Sequence, residues 1–184
     1  MLYPFHRRNL PHIIPTCAPI FFTWRLFDSL PANKSFCRDG ATGAEFQLAD
    51  KDLARCATGP KWLLNPPVAA MVTEEIQATA SRFQRYELLE FVVMPNHVHL
   101  LVVPHGEPSE ILRVLKGYTA RVANKILGRT GSPFWQDETF DHYVRPVEHQ
   151  TQIRNYIVND PVRCGLVSRP QDYRWSSAYV EKRN

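Results

Sequence analysis

The chain has 184 residues, 44% of them hydrophobic and 22% charged, a globular composition with length enough for one domain around one core. No apolar run approaches the roughly 18–20 residues that cross a bilayer, and no G-x-x-x-x-G-K-[ST] loop is present to cradle a nucleotide. Net charge is +4, and residues 113–184 carry 12 of the 22 basic residues against 7 of the 18 acidic ones. Such concentration is the footprint of an anionic partner such as nucleic acid, and it is equally the mark of a merely solvated surface.

The first 22 residues, "MLYPFHRRNLPHIIPTCAPIFF", loosely mimic a secretion signal, but Pro11, Pro15 and Pro19 interrupt any apolar helix there. Cys17, Cys37, Cys56 and Cys164 stand far apart with no C-x-x-C pair, which argues against a zinc ribbon or a disulfide framework. They read as reduced thiols of a cytoplasmic protein. "PIFFTWRLF" (19–27) is rich in aromatic residues and predicts a strand. Residues 28–64 are mixed and polar and read as loop, without a domain boundary.

A helix is predicted after Asn65, which can cap it, with Pro66 in its first turn. Val68, Val72, Ile76 and Phe83 fall on its apolar stripe. "YELLEFVVM" and "HVHLLVV" then predict two strands turned at Pro95-Asn96, since proline would interrupt a single central strand. "PSEILRVLKGYTARVANKIL" predicts a second helix with Leu112, Leu115, Val122 and Ile126 on its apolar face. Arg121, Lys125 and Arg129 recur on another side of it at i, i+4 and i+8. "ETFDHYVR" (138–145) predicts a strand, and residues 146–160 a third helix opened by Pro146 and stopped by Pro161. The β-α-β-β-α-β order, followed by an added C-terminal helix, is that of an α+β fold with a ferredoxin-like antiparallel sheet whose helices lie on one face. The whole of 1–184 is read as one domain, with an N-terminal arm (1–18), the loop-rich segment 28–64 and a tail (161–184).

Side chains alternate along a strand, so His97 and His99 point one way and Val98 the other. Leu101 and Val103 continue the histidine face and make it apolar further along. Two readings stay open for the pair: polar residues beside a turn, or metal ligands, for which neutral imidazole is the commonest protein donor. The last helix offers partners. Tyr156 and Asp160, one turn apart on one face, could supply a nucleophile and a third ligand, or could be an aromatic covering the sheet and a polar helix end. Trp135 reads as core, with base stacking as its alternative.

"MPNHVHLL" resembles the histidine–hydrophobic–histidine motif of single-tyrosine DNA transposases. "HRRNLPH", "IFFTWRLFDSLP", "LKGYTAR", "FWQDETFDHYVR", "YIVNDPVRCGLV" and "WSSAY" extend the likeness, in order, to the REP-associated tyrosine transposases within the insertion-sequence transposases that act on single-stranded DNA. The resemblance implies His97 and His99 as metal ligands, Tyr156 as the nucleophile and Asp160 as the third ligand, with Asn159 as the alternative. Relatives often have "NNP" or "ENP" where this chain has "NDP", which puts the third ligand in more doubt than the tyrosine. It further implies Mg²⁺ or Mn²⁺, strand cleavage through a 5′-phosphotyrosine without a nucleotide cofactor, and single-stranded or hairpin DNA as partner. Lys116, Arg121, Lys125, Arg7 and Arg8 are the expected DNA contacts. The protein is expected at the bacterial nucleoid, as monomer or homodimer, with no membrane partner. Two rivals remain: a metal-dependent hydrolase with water as nucleophile, and a hairpin-binding protein that does not cut.

Overall fold

In the computed structural model the described residues are 5–8, 10–13, 18–30, 50–53, 59–144 and 147–181. Strands β1 (Phe5–Arg8) and β2 (Leu10–Ile13) pair antiparallel as a separate two-stranded sheet, an element not foreseen in the N-terminal arm. The main sheet contains β3 (Ile20–Leu26), β4 (Tyr86–Val93), β5 (His97–Pro104) and β6 (Trp135–Tyr143) in the order β4-β5-β3-β6. All its pairs are antiparallel, which is the expected ferredoxin-like arrangement. Residues 50–53 are helical (α1), and α2 (Pro66–Ser81), α3 (Pro108–Ile126) and α4 (Val147–Arg163) complete the layers.

The sheet is covered on both faces. Ile20, Phe22, Trp24 and Leu26 of β3, with Val98, Leu100 and Val102 of β5, pack against Val68, Val72 and Ile76 of α2 and Ile111 and Leu115 of α3. The alternate residues Phe21 and Leu101, joined by Phe140 of β6, pack against Leu53 of α1 and Ile153 and Ile157 of α4. Double coverage explains why β5 reads as a continuous apolar run, as strands buried on both faces do.

Three expected boundaries shift. Helix α2 ends at Ser81, so Phe83 lies beyond the stripe and is 54% exposed. On α3 the buried stripe passes through Thr119 and Ala123, while Ile126 is 42% exposed. Thr119 tolerates burial because its hydroxyl donates to the Leu115 carbonyl (2.7 Å) and accepts from Trp135 Nε1 (2.9 Å). That places Trp135 in the core. Pro161 does not stop α4, which runs to Arg163. The end comes at Gly165, φ +69°, with Gly165 N–H bonded to the Val162 carbonyl (3.0 Å) and Leu166 N–H to the Pro161 carbonyl (2.9 Å). This is a Schellman termination, which satisfies the last carbonyls and needs a left-handed residue at that position.

The tail covers the free edge of β4. Trp175 accepts from Val93 N–H (2.8 Å), Ser177 N–H donates to the Phe91 carbonyl (3.0 Å), and the Tyr173 hydroxyl donates to the Val93 carbonyl (2.9 Å). An uncovered edge is a template for pairing with another chain. A chain ending at residue 172 is therefore expected to associate with rising concentration, measured by size-exclusion chromatography with light scattering. A truncated chain that stays monodisperse at every concentration would contradict the role of the tail as edge cover.

Candidate metal centre and nucleophile

His97 opens β5 directly after the Pro95-Asn96 turn, and the turn is tied down from three sides. Met94 N–H bonds to the His97 carbonyl (2.8 Å), Leu26 N–H to the Asn96 carbonyl (2.8 Å), and Leu63 N–H to the Pro95 carbonyl (3.2 Å). The Asn96 side chain is fully buried. Its Nδ2 donates to the Leu53 carbonyl (3.0 Å), so its Oδ1 must be the atom 2.7 Å from His97 Nδ1. An amide oxygen only accepts, which makes His97 the Nδ1–H tautomer with a free electron pair on Nε2. Thr23 on β3, directly opposite His99, holds His99 Nδ1 at 2.7 Å.

Both imidazoles are thus anchored through Nδ1 with Nε2 turned inward, the arrangement of metal-ligating histidines fixed by a second hydrogen bond. The two Nε2 atoms are 3.2 Å apart. Asp160 Oδ2 lies 3.4 Å from His97 Nε2 and 3.6 Å from His99 Nε2, and Asp50 Oδ1 lies 3.3 Å from His99 Nε2. His97, His99 and Asp160 are fully buried and Asp50 nearly so. Asp50 Oδ1 and Asp160 Oδ2 have no hydrogen-bond partner among the described residues. Ligand atoms of Asp50, His97 and His99 lie within 4.8 Å of one another. Two imidazole Nε2 atoms converging beside carboxylate oxygens without a hydrogen-bond partner among the described residues are an unfavourable set for a dry site. The same set fits a divalent cation.

Asn159 turns away and donates to the Asn155 carbonyl (2.8 Å), leaving Asp160 as the residue that faces the histidines. Burial alone would raise the Asp160 carboxyl. The His97 and His99 imidazoles in their protonated, metal-free form, together with the Arg163 guanidinium, instead hold it well below the usual carboxylate range. Arg163 reaches Asp160 Oδ1 at 2.5 Å, and its Cζ lies 3.8 Å from the centre of the Tyr156 ring. Tyr156 is half-buried on the histidine side of the sheet, its ring centroid 5.5 Å from that of His99. Residues 156, 160 and 163 share one face of α4 because the helix continues through Pro161.

The expected DNA contacts are not gathered at this centre. The Lys116 ammonium donates to the Gln136 and Asp137 carbonyls (2.8 and 3.0 Å) and to Thr139 Oγ1 (3.0 Å), fastening α3 to β6. Lys116 therefore has a structural role at the α3–β6 junction. Arg121 and Lys125 are exposed, but α3 packs on the face of the sheet opposite the histidines. Arg7 and Arg8 lie on β1, and their side chains fall outside the described residues. Sequence reading missed Asp50, Thr23, Asn96 and Arg163. Asn96 carried a signal, standing next to His97 in a turn, whereas Asp50 sat in a segment without pattern.

The sequence model of the family described as "Transposase IS200 like" matches residues 61–160. The chain belongs to that family of transposases. Its fold is similar to a solved structure of a REP-associated tyrosine transposase bound to a REP hairpin, with TM-score 0.58, 18% identity, and 96% of this chain and 82% of that one covered. A protein from Deinococcus radiodurans R1 assigned as a transposase is matched with TM-score 0.45 and 19% identity, over 80% of this chain and 93% of that one. No curated protein matches the chain. Among the described residues no helix is long and apolar enough to cross a membrane.

The Asn96 and Thr23 contacts generate a prediction about ligand orientation. Asn96→Leu should weaken divalent-ion binding by about 10–100-fold, the range for losing an outer partner of a ligand, measured by isothermal titration. Lys116→Met should lower stability by about 1–3 kcal/mol in urea denaturation. An unchanged unfolding midpoint for Lys116→Met would mean that the three bonds to β6 contribute nothing.

Proposed function

We propose that the protein is a metal-dependent single-stranded DNA transposase that cleaves and rejoins strands through a covalent bond to Tyr156, with REP-like hairpin elements as its DNA. The observation that carries this reading is the convergence of His97, His99 and Asp160 beside the Tyr156 ring, within a chain of the IS200-like transposase family. His97, His99 and Asp160 would hold the divalent ion, Mg²⁺ or Mn²⁺, which when bound supplies Lewis-acid polarisation and orientation of the scissile phosphate.

The remaining chemistry belongs to the chain. The Tyr156 oxygen attacks phosphorus in line, forming a 5′-phosphotyrosine as the bond to the 3′ oxygen breaks and a 3′-hydroxyl leaves. Arg163, with its guanidinium over the Tyr156 ring, is a cation placed to favour a developing phenolate over the neutral phenol. The phosphodiester exchange conserves one ester bond, so a second 3′-hydroxyl reverses the step and joins strands without a nucleotide triphosphate. Arg121 and Lys125 would contact backbone phosphate at a distance from the cut, with Arg7 and Arg8 as further contacts. The similarity to a structure that holds a REP hairpin supports DNA of that kind as the partner.

Incubation with a labelled hairpin oligonucleotide and Mn²⁺, followed by a denaturing gel, tests the reading. A slow-migrating protein–DNA adduct is expected. Cleavage without an adduct would make water the nucleophile, and neither product would leave a binding protein. Tyr156→Phe should abolish the adduct while hairpin binding and folding persist, because only one hydroxyl is removed and phosphate contacts dominate affinity. Tyr118→Phe should still form the adduct: Tyr118 lies on exposed α3, its ring 5.6 Å from Arg121 Cζ, on the opposite face of the sheet. Adduct formation by Tyr156→Phe together with its loss in Tyr118→Phe would reassign the nucleophile.

A further inference from the structure

The buried carboxylate of Asp50 lies outside the ligand set just given, yet its geometry matches that of Asp160. Asp50 comes from α1, which packs on the histidine face through Leu53. Its Oδ1 stands 3.3 Å from His99 Nε2, closer than Asp160 Oδ2 does at 3.6 Å, and the residue is 2% exposed. That oxygen has no hydrogen-bond partner among the described residues. Arg163 pairs with Asp160 and so offsets one of the two buried charges. The other faces His99 Nε2 without forming a hydrogen bond to it. A buried carboxylate oxygen without a donor among the described residues is stabilised by a cation.

We propose that Asp50 is a fourth protein ligand, making the centre a two-histidine, two-carboxylate site for a divalent transition ion. The proposal rests on the metal-dependent reading above and adds to it. Of the two ions named above, the mixed nitrogen–oxygen set suits Mn²⁺ better than Mg²⁺, and it also accepts Co²⁺ and Zn²⁺. Four protein donors leave no position for a phosphate oxygen in a four-coordinate centre. Substrate binding therefore requires an expanded coordination number or the withdrawal of one carboxylate. Of the two, Asp160 is held by Arg163 through its other oxygen.

The test uses the full chain without DNA. Co²⁺ is titrated into wild type, Asp50→Asn, Asp50→Cys and Asp52→Cys, and visible and near-ultraviolet absorption is followed. Wild type should develop Co²⁺ d–d bands. Asp50→Cys should add a thiolate-to-cobalt charge-transfer band that is absent from wild type, which retains Cys164, and from Asp52→Cys on another side of the helix. Asp50→Asn should weaken Co²⁺ binding about tenfold or more and reduce the rise in Tm caused by metal. Its metal-free Tm should stay at or above that of wild type, because a buried unpaired charge has been removed. If wild type binds Co²⁺ but the Asp50→Cys band is missing and Asp50→Asn binds equally well, Asp50 is not a ligand and the three-residue reading stands alone. Absence of Co²⁺, Zn²⁺ and Mn²⁺ binding by wild type would overturn both.

Discussion

Two short hydrogen bonds to ring nitrogens, Asn96 to His97 and Thr23 to His99, set the geometry on which the rest of the site depends. They fix the orientation of each imidazole and turn both Nε2 atoms toward the same point, and the Asn96 oxygen, which only accepts, also sets the proton of His97 on Nδ1. Neither bond is local in origin. Thr23 reaches His99 because β3 and β5 are central neighbours in register, and Asn96 keeps its orientation because α1 offers the Leu53 carbonyl. The strand order β4-β5-β3-β6 is therefore part of the site's chemistry: any slip of β5 by one residue would turn both histidines into the core beneath α2 and α3.

The second half of the centre arrives on a single helix. Tyr156, Asp160 and Arg163 share one face of α4, so a shift of that helix would move nucleophile, carboxylate and cation together. The helix is held to the histidine face by Ile153 and Ile157. An ion pair from Arg154 NH1 to Glu90 Oε1, 3.6 Å long and partly exposed, adds little. The sheet keeps the histidines in place whatever α4 does.

The fold was largely legible because its signals are local: the aromatic-rich run of β3, the Asn65-Pro66 helix start, and the proline that separates β4 from β5. The histidine pair was legible for the same reason, since strand alternation alone puts His97 and His99 side by side. What escaped were features settled by contacts distant in sequence. Thr119 and Asn124 are buried in α3, where Trp135 pairs with the Thr119 hydroxyl and the Ser132 carbonyl with Asn124 Nδ2, which hydrophobic periodicity cannot register. Pro161 lies inside α4 because the Schellman turn at Gly165 secures the final carbonyls, and reading it as a stop left Arg163 off the functional face. Lys116 looked like a free cation on a basic helix. Its three acceptors come from β6, some twenty residues later. Asp50 gave no sign at all, since its meaning depends on where α1 packs.

Charge balance gives these residues a common logic. Asp50 and Asp160 bring two negative charges into one buried slot, and like charges at 4 Å cost about 4 kcal/mol even at an effective dielectric of about 20. Arg163 supplies one compensating charge, and under the proposed reaction a divalent ion would supply two more against the phosphodiester's one. The buried negative charge of Asp160 falls on the residue that Arg163 grips. Removing the guanidinium alone would leave that carboxylate without its cation. Removing Asp160 alone would leave an arginine over Tyr156 with nothing to orient it. The two residues are thus coupled through the same few ångströms that separate the metal ligands from the tyrosine. Within the basic surplus of residues 113–184, Arg121 and Lys125 on α3 face solvent, whereas Arg163 on α4 reaches the buried centre.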